Sequence, residues 1–275
     1  MTQRLLLSAG RATASVYPDH GGRLGQLDFG DGALMRGPAP ELDWLHWGAY
    51  PLLPWSNRIP AGHLRLGAID ARLPVNNPDD GSAMHGVVAN CAWDVEATTD
   101  ATAALVVHAE AGPYTVRGSQ RFALAPDELT LVLSVRNEGA RAVPVGLGIH
   151  PWFHTGPITL PARMKWPGDP MPTGLPVPVT ADDDFQHGAV PPVMDRCFTD
   201  LTGTAVEVPG VRLSWEGAVT QIVVYSGDPG WVCVEPVTMA NDGFNLAARG
   251  VANHGVQWID PECELTVRYV FAPLP

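Results

Sequence analysis

The sequence predicts an all-β fold, a large antiparallel β-sandwich, and three observations carry that expectation. Apolar residues recur with a period of two: Leu129, Leu131, Leu133 and Val135 alternate with Thr130, Val132, Ser134 and Arg136, and Leu265, Val267, Tyr269 and Phe271 repeat the pattern. Such a period puts alternate side chains on opposite faces of a strand, so one face is apolar enough to be buried. Residues 104–108 and 219–225 are short apolar, β-branched runs with turn residues on both sides. The 29 glycines and 27 prolines are spread along the chain. Asp127-Glu128, Asn137-Glu138-Gly139 and Gly227-Asp228-Pro229-Gly230 mark turns between the runs. No amphipathic helix of roughly a dozen residues is legible; the best short candidate covers 245–253.

One stretch departs from this pattern. Residues 161–192 carry Pro161, Pro167, Pro170, Pro172, Pro176, Pro178, Pro191 and Pro192, and the acidic run Asp182-Asp183-Asp184. Proline has no backbone N–H to give to a ladder, which excludes a central strand here. The expectation is a long ordered loop crossing one face, not a linker, because strand patterns of the same kind lie on both sides. The whole chain, 1–275, therefore reads as a single domain.

Hydrophobic residues make up 45% of the chain and charged residues 17%, a balance suited to a globular protein with a sizeable core. A net charge of −12 repels phosphate backbones and anionic lipid, so neither nucleic acid nor membrane is an expected partner. Cys91, Cys197, Cys233 and Cys263 form no C-x-x-C pair and have neither zinc-site nor disulfide-scaffold spacing. The apolar run near the start is broken by Ser8, Gly10 and Arg11, too early for a signal peptide. No apolar stretch approaches the roughly 18 residues that a spanning helix needs. A reducing cytoplasm is the expected location, and the chain is expected to act as a monomer or homodimer.

Five clusters place polar residues in apolar company. In Pro54-Trp55-Ser56-Asn57-Arg58-Ile59-Pro60, a guanidinium held among apolar groups must pair with a carboxylate or offer its fork of donors to a ligand. His85 sits before Gly86 after a turn-rich segment, where an imidazole can face a cleft. In Ile149-His150-Pro151-Trp152-Phe153-His154 the two histidines have the i, i+4 spacing of a metal-binding helix. Pro151 pushes His150 toward extended backbone, however, so no metal site is expected. Trp152 suits either core packing or stacking on the C–H face of a sugar. Asp195, in Met194-Asp195-Arg196-Cys197-Phe198, could accept hydroxyl donors or pair with a cation. Glu235 ends the strand-like run Trp231-Val232-Cys233-Val234, just before Pro236, where burial would raise its pKa and make it a proton acceptor. No nucleophile elbow, phosphate-cradling glycine loop or dinucleotide fingerprint is present, so no cofactor is expected.

Taken together and in order, these clusters resemble the aldose 1-epimerase (galactose mutarotase-like) family over almost the whole chain. The match runs from Gly21-Gly22-Arg23-Leu24 to Leu265-Thr266-Val267. It includes Asn57-Arg58-Ile59, His85-Gly86, His150-Pro151-Trp152-Phe153, Asp195-x-Cys197-Phe198, and Glu235-Pro236 with Asn241-Asp242-Gly243-Phe244-Asn245. The resemblance implies a large antiparallel β-sandwich with a sugar cleft on a concave face. It implies Glu235 as general base and His150 as general acid, with Asn57, Arg58, His85 and Asp195 binding substrate. The substrate would be a free aldose such as galactose or glucose. Ile149 and Pro151 around His150 depart from the Asn-His-x-Tyr/Phe arrangement common in galactose mutarotases, which leaves the sugar open.

The acid/base reading expects a carboxylate at Glu235 and a protonated His150, a pair reachable at neutral pH. Three other functions fit the same residues. A non-catalytic sugar-binding protein could use the aromatic and hydroxyl-pairing side chains. A glycoside hydrolase could use Asp195 and Glu235 as its carboxylate pair. An epimerase of a phosphorylated hexose would need further cations in the cleft, and no Lys or Arg cluster lies near the motifs.

Overall fold

A computed structural model describes residues 3–274, which form two large antiparallel sheets and three small two-stranded ones. The ten-stranded sheet runs Leu5–Ala9, Ala12–Tyr17, Arg23–Asp28, Ala49–Leu52, Gly148–His154, Trp231–Val237, Gln221–Tyr225, Asp195–Leu201, Ala162–Lys165, Val177–Pro178. The seven-stranded sheet runs Ala205–Val208, Val211–Gly217, Glu264–Pro273, Leu129–Asn137, Tyr114–Leu124, Thr102–Ala111, Asp94–Thr98. This is the expected all-β sandwich.

The two alternating runs of the sequence are direct neighbours. Leu131 pairs with Tyr269 and Leu133 with Val267, so their apolar faces coincide. That face packs in one core cluster with Leu24, Ile149, Phe153, Ile222, Val224, Val232 and Val234 of the ten-stranded sheet. Burying a large aliphatic or aromatic side chain is worth about 1.5–3 kcal/mol, which makes this shared core the main cohesive term between the sheets. A polar tie crosses it: buried Tyr269 Oη donates to the Pro236 carbonyl at 3.1 Å, satisfying both groups.

The proline-rich stretch, expected as a long ordered loop, includes regular strand. It contributes two short strands, Ala162–Lys165 and Val177–Pro178, which take the last two places of the ten-stranded sheet. The edge tolerates missing donors because one side of an edge strand bonds nothing. Pro51, Pro151 and Pro236, by contrast, stand in central strands. The ladder between Gly148–His154 and Trp231–Val237 pairs Gly148 with Val237 and Trp152 with Cys233 but skips the positions between, where Pro151 and Pro236 have no N–H to give. Among the described residues the one α-helix is Gly243–Ala248, shorter and earlier than the 245–253 candidate. None of the described helices is long and apolar enough to cross a membrane.

Leu133 is fully buried opposite Val267. Leu133→Ala should lower unfolding free energy by about 2–5 kcal/mol in a denaturant titration. A loss below about 0.5 kcal/mol, the size expected of a surface change, would mean that this face does not fill the core.

Candidate active site

The same alternation that builds the core gives the ten-stranded sheet a second, outer face. Val232 and Val234 point into the sandwich, while Cys233, Glu235 and Val237 point outward. Ile149 and Phe153 face inward; His150 and Trp152 face outward. The pairing of Gly148 with Val237 and Trp152 with Cys233 sets His150 directly opposite Glu235. On its other side His150 pairs with Tyr50. Two residues along, a second outward row carries Trp152, Cys233, Tyr225 and Asp195 on consecutive strands. The floor of the site is thus two adjacent register rows of one sheet.

His150 Nε2 lies 3.2 Å from Glu235 Oε1, with both residues buried. Tyr50 stacks on the imidazole, with centroids 4.6 Å apart and planes at 16°. His85 meets it edge-on at 5.1 Å and 87°. These groups line a pocket of about 200 Å³ together with Asn57, Arg58, Trp152 and Asp195, so all seven residues expected to act on or bind substrate reach one cavity. It is smaller than the roughly 300–1,000 Å³ of drug-sized sites.

The loop before the small strand Ala83–Met84 and the strand Arg58–Ile59 shape one wall. Asn57 and His85 both adopt left-handed backbone, with φ of 52° and 58°, and the His85 N–H donates to the Asn57 carbonyl at 2.9 Å. Gly86 is required here: a Cβ on it would lie 1.9 Å from the Leu53 carbonyl oxygen. Arg58 donates through Nη1 to Asp195 at 3.0 Å and through Nε to Asp80 at 3.0 Å. Two expected substrate ligands therefore pair with each other while both still face the cavity. The Asp242 N–H donates to the Arg58 carbonyl, so the motif downstream of Glu235 holds the arginine's backbone and does not line the pocket.

Residues 3–252 match the aldose 1-epimerase family. The chain belongs to the aldose 1-epimerase family. That family consists of isomerases acting on sugars. The uncharacterized protein YphB of Escherichia coli is 34% identical over 110 residues, which is 40% of this chain and 38% of that protein. The matched segments span half or less of the length of the curated relatives. Among solved structures, a candidate aldose 1-epimerase of Escherichia coli K12 superimposes with TM-score 0.88 at 23% identity, covering 100% of this chain and 99% of that one. The galactose 1-epimerase of Lactobacillus acidophilus gives TM-score 0.78 at 14% identity, covering 98% and 94%. At these identities the likeness is one of fold.

Within this family member the electrostatics of the pair differ from the charged arrangement expected at rest. Burial pushes the Glu235 carboxyl well above its ordinary value; nearby Asp195 adds to the rise and Arg58 opposes it. Burial pulls His150 down to about 3, with Arg23, His46 and Arg58 contributing in the same direction. His85 is also lowered by burial, then by His150 and Arg58. Both shifts run in the same sense: burial favours the neutral form of each partner, because two buried charges are costlier than a neutral hydrogen-bonded pair. Glu235 Oε2, His150 Nδ1 and His85 Nδ1 are buried without a hydrogen-bond partner among the described residues. Buried polar atoms of this kind normally have one, and their concentration at one cavity marks a place where a polar ligand completes the bonding.

Trp152 is a wall and not an open platform: it is 2% exposed, its Nε1 donates to the Leu45 carbonyl at 2.8 Å, and the Arg36 guanidinium lies over its ring at 5.0 Å. His154 stacks on Trp231 at 4.5 Å. Four residues along a strand from His150 is about 13 Å, so the two histidines do not converge. Tyr50, Tyr225, His46, Asn77 and Asp79 also line the pocket and were not singled out in the sequence. Tyr50 lies in an apolar run that reads as core, and Tyr225 ends a run that reads only as a strand; His46, a half-buried polar residue amid Trp44, Leu45 and Trp47, was the readable signal.

Glu235→Gln should raise thermal stability by an amount that depends on pH. With its pKa raised in the fold, Glu235 favours folding fully below 4.5, its ordinary value, and that contribution is lost as pH rises through its raised value. Glutamine does not titrate, so the Tm advantage of the variant should grow with pH above about 4.5. The His150 contribution, full above 6.5 and lost as pH falls toward 3, acts at the other end of the scale. A Tm difference that is flat with pH would contradict the burial of Glu235 as an ionisable group.

Proposed function

We propose that this chain is a mutarotase that interconverts the α and β anomers of a free, uncharged aldose, with Glu235 as base and His150 as acid. The contact between Glu235 Oε1 and His150 Nε2 at 3.2 Å, on the floor of a monosaccharide-scale pocket, carries the reading. Two buried ionisable groups in contact destabilise a fold that has no use for them, which favours catalysis over binding alone. Among the described residues Arg58 is the only arginine or lysine lining the pocket, and carboxylates of Asp80 and Asp195 already neutralise it. That leaves no cation for a sugar phosphate and favours a neutral substrate.

The reaction follows from the proton inventory of the pair. Sugar hydroxyls that donate to the unpartnered Glu235 Oε2 stabilise its carboxylate, and the proton passes to His150 Nε2. Glu235 then takes the proton of the anomeric hydroxyl as the bond from C1 to the ring oxygen breaks, and His150 protonates that oxygen. The product is the open-chain aldehyde with Glu235 and His150 again neutral, the arrangement that burial favours. The environment that resists a charged resting pair thus lowers the energy of the ring-opened state. Rotation about C1–C2 presents the other face of the aldehyde, and the reverse transfers close the ring with inverted configuration. Arg58, Asp195, His85 and Asn57 hold the hydroxyls, which adds an orientation term. The four cysteines, all free thiols, are in keeping with a reducing cytoplasm.

Polarimetry of freshly dissolved α-D-glucose and α-D-galactose tests the proposal. The wild type should accelerate relaxation to anomeric equilibrium for at least one of these sugars or another free aldose. Glu235→Gln should lower kcat by about 10²–10⁴-fold while sugar binding by calorimetry survives. An unaltered kcat in Glu235→Gln, or no acceleration with any free aldose, would sink the reading. Arg58→Ala should raise KM by roughly 10–100-fold, the size of a lost charged hydrogen bond, with a much smaller change in kcat.

A further inference from the structure

The pairing of Leu24 with Ala49 sets Arg23 opposite Tyr50. With Tyr50 opposite His150 and His150 opposite Glu235, four side chains stand in a single register row across adjacent strands. The row is continuous in contact as well as in register. The Arg23 guanidinium lies 4.8 Å from the centre of the Tyr50 ring, Tyr50 stacks on the imidazole at 4.6 Å, and the imidazole reaches Glu235 at 3.2 Å. We propose that Arg23 is a positioning residue for the acid/base histidine: it clamps Tyr50 face to face onto His150 and supplies a fixed positive charge that sets how readily the imidazole gives up its proton. This inference rests on the acid/base reading of His150.

The surroundings of Arg23 are unusual for an arginine. It is completely buried, and no ion pair among the described residues includes it. Its donors go to main-chain carbonyls: Nε to His20 at 2.7 Å, Nη1 to Trp44 at 2.7 Å and Trp47 at 2.9 Å, and Nη2 to Ala89 at 2.8 Å. Carbonyls satisfy its hydrogen bonds without a carboxylate in contact; Asp43 of the neighbouring loop acts on it only through space, and the guanidinium charge lies along the row toward His150. The same bonds fix the loop whose Leu45 carbonyl accepts from Tyr50 Oη at 3.2 Å and from Trp152 Nε1 at 2.8 Å. One side chain therefore holds the Tyr50 ring on its face and, through the loop, at its hydroxyl.

A catalytic acid needs an imidazolium that is fixed in orientation and ready to release its proton. Sandwiching the Tyr50 ring between guanidinium and imidazole achieves the first by packing and the second by charge. The other groups that bear on the imidazole are Glu235 across the strand pair, His85 edge-on, His46 from the loop, and Arg58 on the far wall. Glu235 acts against Arg23, while the Arg58 guanidinium acts with it. Arg23 differs from them in lying behind the histidine, buried and away from the cavity, where a substrate cannot alter its contribution.

The pH profile of kcat for a free aldose separates this role from simple loop support. Removing the charge with Arg23→Gln should move both limbs of the profile upward by roughly one pH unit, as for a unit charge about 9 Å away at an effective dielectric near 20. Arg23→Lys, which keeps the charge, should leave the limbs in place even where it lowers Tm. The imidazole resonance of His150, followed by NMR against pH, should move with the same sign and needs no turnover. A folded Arg23→Gln protein with unmoved limbs and an unmoved resonance would overturn the inference and make Arg23 a loop tether only. If Arg23→Gln does not fold, Tyr50→Leu decides: loss of the ring should shift the His150 resonance and lower kcat more than it raises KM, while Tyr50→Phe keeps the resonance in place. An unmoved resonance in Tyr50→Leu would equally overturn it. A wild type inactive on every free aldose would refute the mutarotase reading instead, and the NMR titration would still decide whether Arg23 controls the imidazole.

Discussion

Two ionisable side chains set in register on neighbouring strands, and withdrawn from water, govern the design of this molecule. A carboxyl and an imidazole in that position are stable only as a neutral hydrogen-bonded pair, or as an ion pair when a polar ligand supports them. The rest of the site follows from holding that pair in place. Tyr50 stacks on one partner, the Arg58–Asp195 pair closes a wall, and the outer apolar cluster of Leu52, Trp166, Cys197, Val223 and Val237 excludes water beneath. The sites of Pro151 and Pro236 coincide with the gap in the ladder, so the backbone there makes fewer cross-strand bonds at the point where the side chains meet.

Rigidity for this arrangement comes from the other side of the same strands. Alternation gives each central strand an inward face locked into the sandwich core and an outward face that carries chemistry. Val232 and Val234 anchor the strand that presents Glu235, and Ile149 and Phe153 anchor the one that presents His150. Close packing transmits little displacement, so the distance between acid and base is set by the strand spacing and register of a fully supported sheet. That is a firmer basis than a pair of loops would provide.

The fold was legible because its signal is local. Leu129 to Val135 and Leu265 to Phe271 announce their period of two without any knowledge of what they pair with, and they prove to be neighbours. The seven residues nominated for the site were legible by a different route, as polar groups at odds with apolar company and, in order, as a resemblance to a family. Tyr50 and Tyr225 were not, because a tyrosine in an apolar run has the same local appearance whether its ring faces a core or a cavity. Residues 161–192 were read too strictly: edge strands need donors on one side only, and a composition rule cannot tell an edge from a centre. The charged pair expected of His150 and Glu235 runs against the direction in which burial moves both groups, since ordinary pKa values describe groups in water and the fold takes both groups out of it.

By itself, then, the sequence determined the class of fold, the strands that build its core, and the residue types on which acid/base chemistry at a sugar could draw. Periodicity, turn residues and a buried-looking acid before a proline are properties of short segments, and short segments suffice to read them. Only the tertiary structure decided that Arg23, Tyr50, His150 and Glu235, which lie far apart along the chain, share one register row, and that burial pushes Glu235 up and His150 down. Register between distant strands depends on the joint packing of two sheets, and a pKa depends on how much water that packing removes; neither quantity exists until the chain has folded.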